Sequence, residues 1–143
     1  MEHAMSTSAR PLVLVVDDYE DARELLSEYL ESAGFRTLTA ADGQQAVVVA
    51  QERRPDVVLM DLAMPVMNGF DATARIRSDW RTAAAVIIAL TAHSCPEILA
   101  RALRDGCDAA LVKPCDLSRL DEAIRDRLAA RSTLRLGRNA RAG

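Results

Sequence analysis

Four short, nearly pure apolar runs and one weaker one constrain this chain more than any other feature. They cover residues 11–16, 57–60, 86–90 and 109–112, with the weaker run at 35–40, where Arg36, Thr37 and Thr39 interrupt it. Segments of four to six apolar residues are too short for a core helix and read as strands, most of them buried on both faces. Between them the apolar period changes. From Asp21 onward Ala22, Leu25, Leu26, Tyr29, Leu30 and Ala33 recur at helical spacing and Gly34 follows as a stop. Further helices are expected over about 44–53, ended by Pro55, and over 70–79, carrying Ala72, Ala74 and Ile76. Pro96 suits a first helical position ahead of Ile98, Leu99, Ala102 and Leu103, and Leu117, Leu120, Ile124 and Leu128 mark a last helix.

Strands alternating with helices predict an α/β fold, a parallel sheet covered on both faces, because right-handed crossovers place each helix on the sheet. In such a sheet the reactive residues gather at the C-terminal strand ends. Asp17 and Asp18 follow the first strand, Asp61 the third, Thr91 ends the fourth and Lys113 follows the fifth. An aspartate after a strand also serves as a helix cap or turn residue. What sets Asp61 apart is the company that topology gives it.

Three carboxylates brought together repel, and keeping them ionised near neutral pH requires a cation. A hard divalent ion with oxygen ligands answers this, and Mg2+ suits a site with few carboxylates that also meets a phosphoryl group. Lys113 adds a fixed positive charge and Thr91 a hydroxyl donor. Carboxylate nucleophile, metal, ammonium and hydroxyl together match what an acyl-phosphate site needs, since phosphoryl transfer rests on positioning and charge neutralisation.

These segments resemble the receiver domain of bacterial two-component response regulators. The likeness is carried by residues 13–18 with the acidic pair, Met60-Asp61-Leu62-Ala63-Met64-Pro65-Val66-Met67-Asn68-Gly69, Ala89-Leu90-Thr91-Ala92, and 106–114 ending in Lys113-Pro114. The resemblance implies a flavodoxin-like three-layer α/β/α sandwich, with a five-stranded parallel sheet in the order 2-1-3-4-5. It implies Asp61 as phosphoacceptor from a phosphohistidine on a sensor histidine kinase or histidine phosphotransfer protein. Asp18, Asp61 and the Ala63 backbone carbonyl would ligate Mg2+, with Asp17 acting through a bound water. Thr91 and Lys113 would hold the phosphoryl oxygens, and Lys113-Pro114 would be cis. On this reading the chain is not an enzyme on other substrates; it promotes its own phosphorylation and autodephosphorylation.

The chain departs from the family pattern at Ala110, three residues before the lysine, where many receivers carry a Tyr or Phe that swings inward. That departure leaves open a receiver-like binding module that works without phosphorylation. A phosphatase or hydrolase with an aspartyl-phosphate intermediate is disfavoured, because no cap domain is present to hold a small substrate. Ala63 and His93 stand where side chains tune water access to an acyl phosphate; Ala63 offers no shield, and His93 is expected in solvent.

The 143 residues suit one domain, expected over 11–130, between a disordered extension at 1–10 and an Arg-rich flexible tail at 131–143. The net charge of −3 becomes −7 for the preceding 130 residues once Arg131, Arg135, Arg138 and Arg141 are set aside, which disfavours nucleic-acid binding by the body. The short tail leaves no room for a DNA-binding output, so a downstream protein effector is expected, contacted around Ala110 and residues 117–128. The tail itself is read as solvated, with docking on an acidic partner surface as the alternative. No segment reaches the roughly 18 apolar residues of a membrane span, and no leader is recognisable, so a cytoplasmic monomer or weak homodimer is expected. Cys95, Cys107 and Cys115, odd in number and widely spaced, are expected to be reduced packing residues.

Overall fold

The computed structural model describes residues 10–64 and 67–142. The elements alternate without exception: β1 (Leu12–Val16), α1 (Glu20–Ser32), β2 (Arg36–Ala40), α2 (Gly43–Arg53), β3 (Val57–Asp61), α3 (Gly69–Ser78), β4 (Val86–Thr91), α4 (Pro96–Arg104), β5 (Ala109–Val112) and α5 (Leu117–Ala142). All strand pairs are parallel, in the order β2-β1-β3-β4-β5, as the resemblance implied.

The two-residue period of the strands sorts the core into two layers. Leu14, Val16, Val58, Met60, Ile87 and Ala89 face one way and meet Ala46 and Ala50 of α2, Ala72 and Ile76 of α3, and Ala102 of α4. Val13, Val15, Val57, Leu59, Ile88 and Leu90 face the other way, onto Leu26 and Leu30 of α1 and Leu120 and Ile124 of α5. β1, β3 and β4 are buried along their whole length, whereas the edge strands β2 and β5 are largely half-buried. Arg36, Thr37 and Thr39 are tolerated in β2 because an edge strand leaves polar side chains a way to solvent.

Helix starts follow their caps. Asn68 accepts the Asp71 N–H at the head of α3, and Asp42 accepts the Gln45 N–H at the head of α2. Pro96 opens α4 as expected.

The largest departure from expectation is at the C-terminus. The stretch 131–143, expected as a flexible tail, is helical as far as Ala142, where α5 ends. The stretch beyond Ala130 has no proline, its Ala, Leu and Arg residues are strong helix formers, and Gly137 alone costs only about 1 kcal/mol. Arg131 ties this part of the helix to the body, donating to the Asp56 carboxylate and carbonyl, both at 3.2 Å. The expected N-terminal extension, apart from Arg10, and Pro65 and Val66 of the Asp61 loop lie outside the described residues.

The cysteines also differ from expectation in one case. Cys107 is buried and Cys115 half-buried, but Cys95 is exposed at the N-terminus of α4, where its thiol donates to the Glu97 carboxylate at 2.8 Å.

Candidate functional site

The C-terminal ends of β1, β3 and β5 bring Asp17, Asp18, Asp61 and Lys113 together. Asp61 is the last residue of β3 and pairs with Leu90 of β4, which places Thr91 one step further along the neighbouring strand. One carboxylate oxygen from each of Asp17, Asp18 and Asp61 lies within 4.8 Å of the others. Asp17 and Asp61 are nearly sealed from solvent, at 2% and 6% exposure, while Asp18 is exposed. The pocket therefore has a dry floor and an open rim.

The Lys113 ammonium bridges the two buried acids, 2.9 Å from Asp17 Oδ2 and 3.4 Å from Asp61 Oδ2. The Lys113-Pro114 bond is cis. Each acid is also held by the main chain: Asp17 Oδ1 accepts the Tyr19 N–H at 3.0 Å, and Asp61 Oδ1 the Ala63 N–H at 3.1 Å. Both carboxylates are thereby fixed in orientation by short loops that return past their own strand ends.

Burial raises the Asp61 carboxyl above its ordinary pKa; the Ala63 N–H and Lys113 oppose that rise, and the neighbouring Asp17 charge adds to it. Lys113 moves upward as well: burial alone would lower it, but the bonds and charges of Asp17 and Asp61 prevail. The directions are compatible, because the lysine draws on two carboxylates whereas Asp61 shares one lysine at the longer distance. A raised carboxyl pKa describes an under-solvated, more basic oxygen.

Three carboxylates against one ammonium leave an excess of two negative charges. An all-oxygen donor set of this charge fits a small hard divalent cation.

Thr91 is buried, and its hydroxyl accepts the His93 N–H at 3.0 Å. His93 itself is exposed, as expected. Ala63 is exposed too, so the loop after β3 puts no side-chain bulk over the pocket at that position. Ala110 is half-buried and packs against the layer that also holds Ile98, Phe70 and Met64.

Residues 13–125 match the family model of the response regulator receiver domain. The chain belongs to the response regulator receiver family. It is 31% identical over 116 residues to the polar-differentiation response regulator DivK of Brucella anthropi, covering 81% of this chain and 94% of DivK. It is 37% identical over 119 residues to the DNA-binding response regulator MtrA of Mycobacterium tuberculosis, covering 83% of this chain but only 51% of MtrA. The chain thus spans about half the length of that relative. The receiver domain of a sensor histidine kinase from Pseudomonas aeruginosa superposes with a TM-score of 0.78 at 32% identity, covering 84% of this chain and 98% of that one. That structure is described with a magnesium ion coordinated in its active site cleft.

Receivers are phosphoacceptor signalling domains that bind Mg2+ at an acidic pocket and interact with histidine kinases and downstream effectors. Among the described residues no helix is long and apolar enough to cross a membrane.

Several residues that shape the pocket carry no chemistry of their own and were not singled out for it in the sequence. A Cβ on Gly69 would collide with the backbone of Asp61 and Leu62, and one on Gly43 with the Met67 carbonyl. Their actual role is to let the loop after β3 fold back against the Asp61 main chain and the head of α2, as the Gly69–Leu62 and Gly43–Met67 hydrogen bonds show.

Proposed function

We propose that this receiver accepts a phosphoryl group on Asp61 from the phosphohistidine of a sensor histidine kinase or histidine phosphotransfer protein, and signals through protein–protein contacts. The observation that carries the reading is a buried, basic Asp61 carboxylate at a strand end, with Lys113 on one oxygen and two further acids beside it.

Asp61 Oδ2, the oxygen 3.4 Å from the Lys113 ammonium, attacks phosphorus, the phosphorus–nitrogen bond breaks, and the electron pair returns to the donor imidazole. No base is needed, because the nucleophile is already an anion. The Ala63 N–H holds the other side of the carboxylate and fixes the line of attack. Lys113 moves with its charge from the carboxylate to the incoming phosphoryl oxygens. The Thr91 hydroxyl, which accepts from His93, keeps its own proton for a phosphoryl oxygen.

Asp17, Asp18, Asp61 and the Ala63 carbonyl are the groups that would hold Mg2+; bound there, the ion neutralises charge on the transferring phosphoryl group. Small, exposed Ala63 leaves water free to approach the acyl phosphate, which favours autodephosphorylation.

Output is assigned to the face around Ala110 and α5, toward a downstream protein effector. Direct DNA binding is not assigned to this domain, although MtrA is a DNA-binding regulator. The chain acts in the cytoplasm as a monomer or weak homodimer.

Incubation with acetyl phosphate and Mg2+ is expected to add one phosphoryl group, seen as a single mass increment, and Asp61→Asn to abolish it. Labelling of that variant at the wild-type level would overturn the assignment. A second reading is favoured by Ala110 alone: a binding module indifferent to phosphorylation. It predicts equal effector affinity for the phosphorylated and unmodified forms, which a titration against the effector separates from the first.

A further inference from the structure

At the opposite end of the sheet, by the N-terminal ends of β4 and β5, lies a cavity of about 560 Å³. One wall is apolar, formed by Ala83, Ala84 and Ala85 of the loop before β4 and by the exposed Leu103 of α4. The other carries arginines: Arg127 and Arg131 of α5, with Arg77 of α3 beside Asp108.

The three guanidinium groups are not equivalent. Arg77 is fully engaged, donating to the carbonyls of Gly106, Ala83 and Ala85 and to the Asp108 carboxylate. Asp108 is engaged in turn, since it also accepts the Ile87 N–H at 2.8 Å. Arg131 gives both terminal nitrogens to Asp56, yet its Nε is buried and has no acceptor among the described residues. Arg127 is exposed and forms no hydrogen bond or ion pair among the described residues. The acid that lines the cavity is already neutralised, while Arg127 keeps all of its donors and each terminal nitrogen of Arg131 keeps a second N–H. A cavity with that imbalance, next to an apolar wall, is complementary to an anion with an apolar body.

We propose that this cavity binds a small organic anion, a carboxylate or phosphate ester, whose head sits on Arg127 and Arg131 and whose body lies against Ala83–Ala85 and Leu103. The volume falls within the range of roughly 300 to 1,000 Å³ typical of small-molecule sites. The site is separate from the acidic pocket, since the length of β4, about 16 Å at ~3.3 Å per residue, lies between them. It does not depend on phosphorylation of Asp61.

The test is a titration of the full chain with 2-naphthoate, followed by amide NMR. Saturable shifts are expected at Ala83, Ala84, Gly106 and Arg131, with Asp61 and Ala63 unmoved. Arg127→Gln removes an exposed, unpaired group, leaves the fold intact and is expected to weaken binding at least about tenfold, as loss of a charge-assisted contact does. The uncharged 2-naphthamide is expected to bind about tenfold more weakly for the same reason. Phenyl phosphate in place of the carboxylate tells which head group is preferred, and either preference supports the proposal. Absence of saturable shifts, equal binding of acid and amide, or indifference to Arg127→Gln overturns it. Inorganic phosphate binding as tightly as 2-naphthoate also overturns it, because the apolar wall would then contribute nothing.

Discussion

Asp61 carries a cost that its neighbours only partly relieve. Its pKa is raised by burial, so the folded protein holds the Asp61 proton more tightly than the unfolded chain does. Stability from this group is complete below the ordinary carboxyl value and is lost as pH rises through the folded value. In metal-free protein at pH 7, Asp61→Asn is therefore expected to melt a few degrees above wild type. The gap should close as the pH falls below the ordinary carboxyl value of 3.8. Thermal melts in EDTA across that range check both the sign and the window. Arg77 shows the converse case, a charge held by four acceptors. Replacing it with Met leaves Asp108 without its ion pair and three loop carbonyls without this donor, and is expected to cost about 2–4 kcal/mol in urea unfolding. Gly106 belongs to the same arrangement: its φ of +121° suits glycine, and a Cβ there would press on the Arg77 side chain.

Helix α5 joins two regions that the sequence treats separately. Its first half is amphipathic, and Leu120 and Ile124 are wholly buried against the sheet. Ile124→Ala is expected to cost about 2–5 kcal/mol, because the rigid β-sheet beneath it relaxes little into the cavity. Chemical denaturation with an unchanged m-value is the measurement. Its continuation past Ala130 was not legible from periodicity, since the arginines there follow no apolar stripe. What holds its start is the Arg131–Asp56 pair, formed across 75 residues of sequence. The strands were the opposite case: β1, β3 and β4 are so uniformly apolar that only a buried sheet accommodates them.

At the scale of the molecule, the fold gathers charge at both ends of the sheet. One end sets three acids against the single Lys113 ammonium; the other pairs Arg77 with Asp108 and Arg131 with Asp56. Mg2+ is expected to raise the wild-type melting temperature, because a ligand that binds only the folded state stabilises it by about 2.7 kcal/mol at a hundred times its dissociation constant. Asp18→Ala should lose most of that gain, and differential scanning calorimetry with and without chelator reads it out. Asp18 suits this test because it is exposed, so its removal leaves the dry floor of the pocket intact.

The sequence by itself determined the alternation of elements, the buried strands and the polar residues that close them, because period and burial are local properties of a chain. Asp17, Asp18, Asp61, Thr91 and Lys113 could all be named from strand ends for that reason. Only the tertiary structure decided how they face one another: Lys113 lies closer to Asp17 than to Asp61, and Thr91 is engaged by His93. It also decided the opposite end, where Asp56 and Asp108 immediately precede β3 and β5. Their partners, Arg131 and Arg77, lie 75 and 31 residues away. Pairings at that separation depend on how the helices dock on the sheet, which no local pattern encodes.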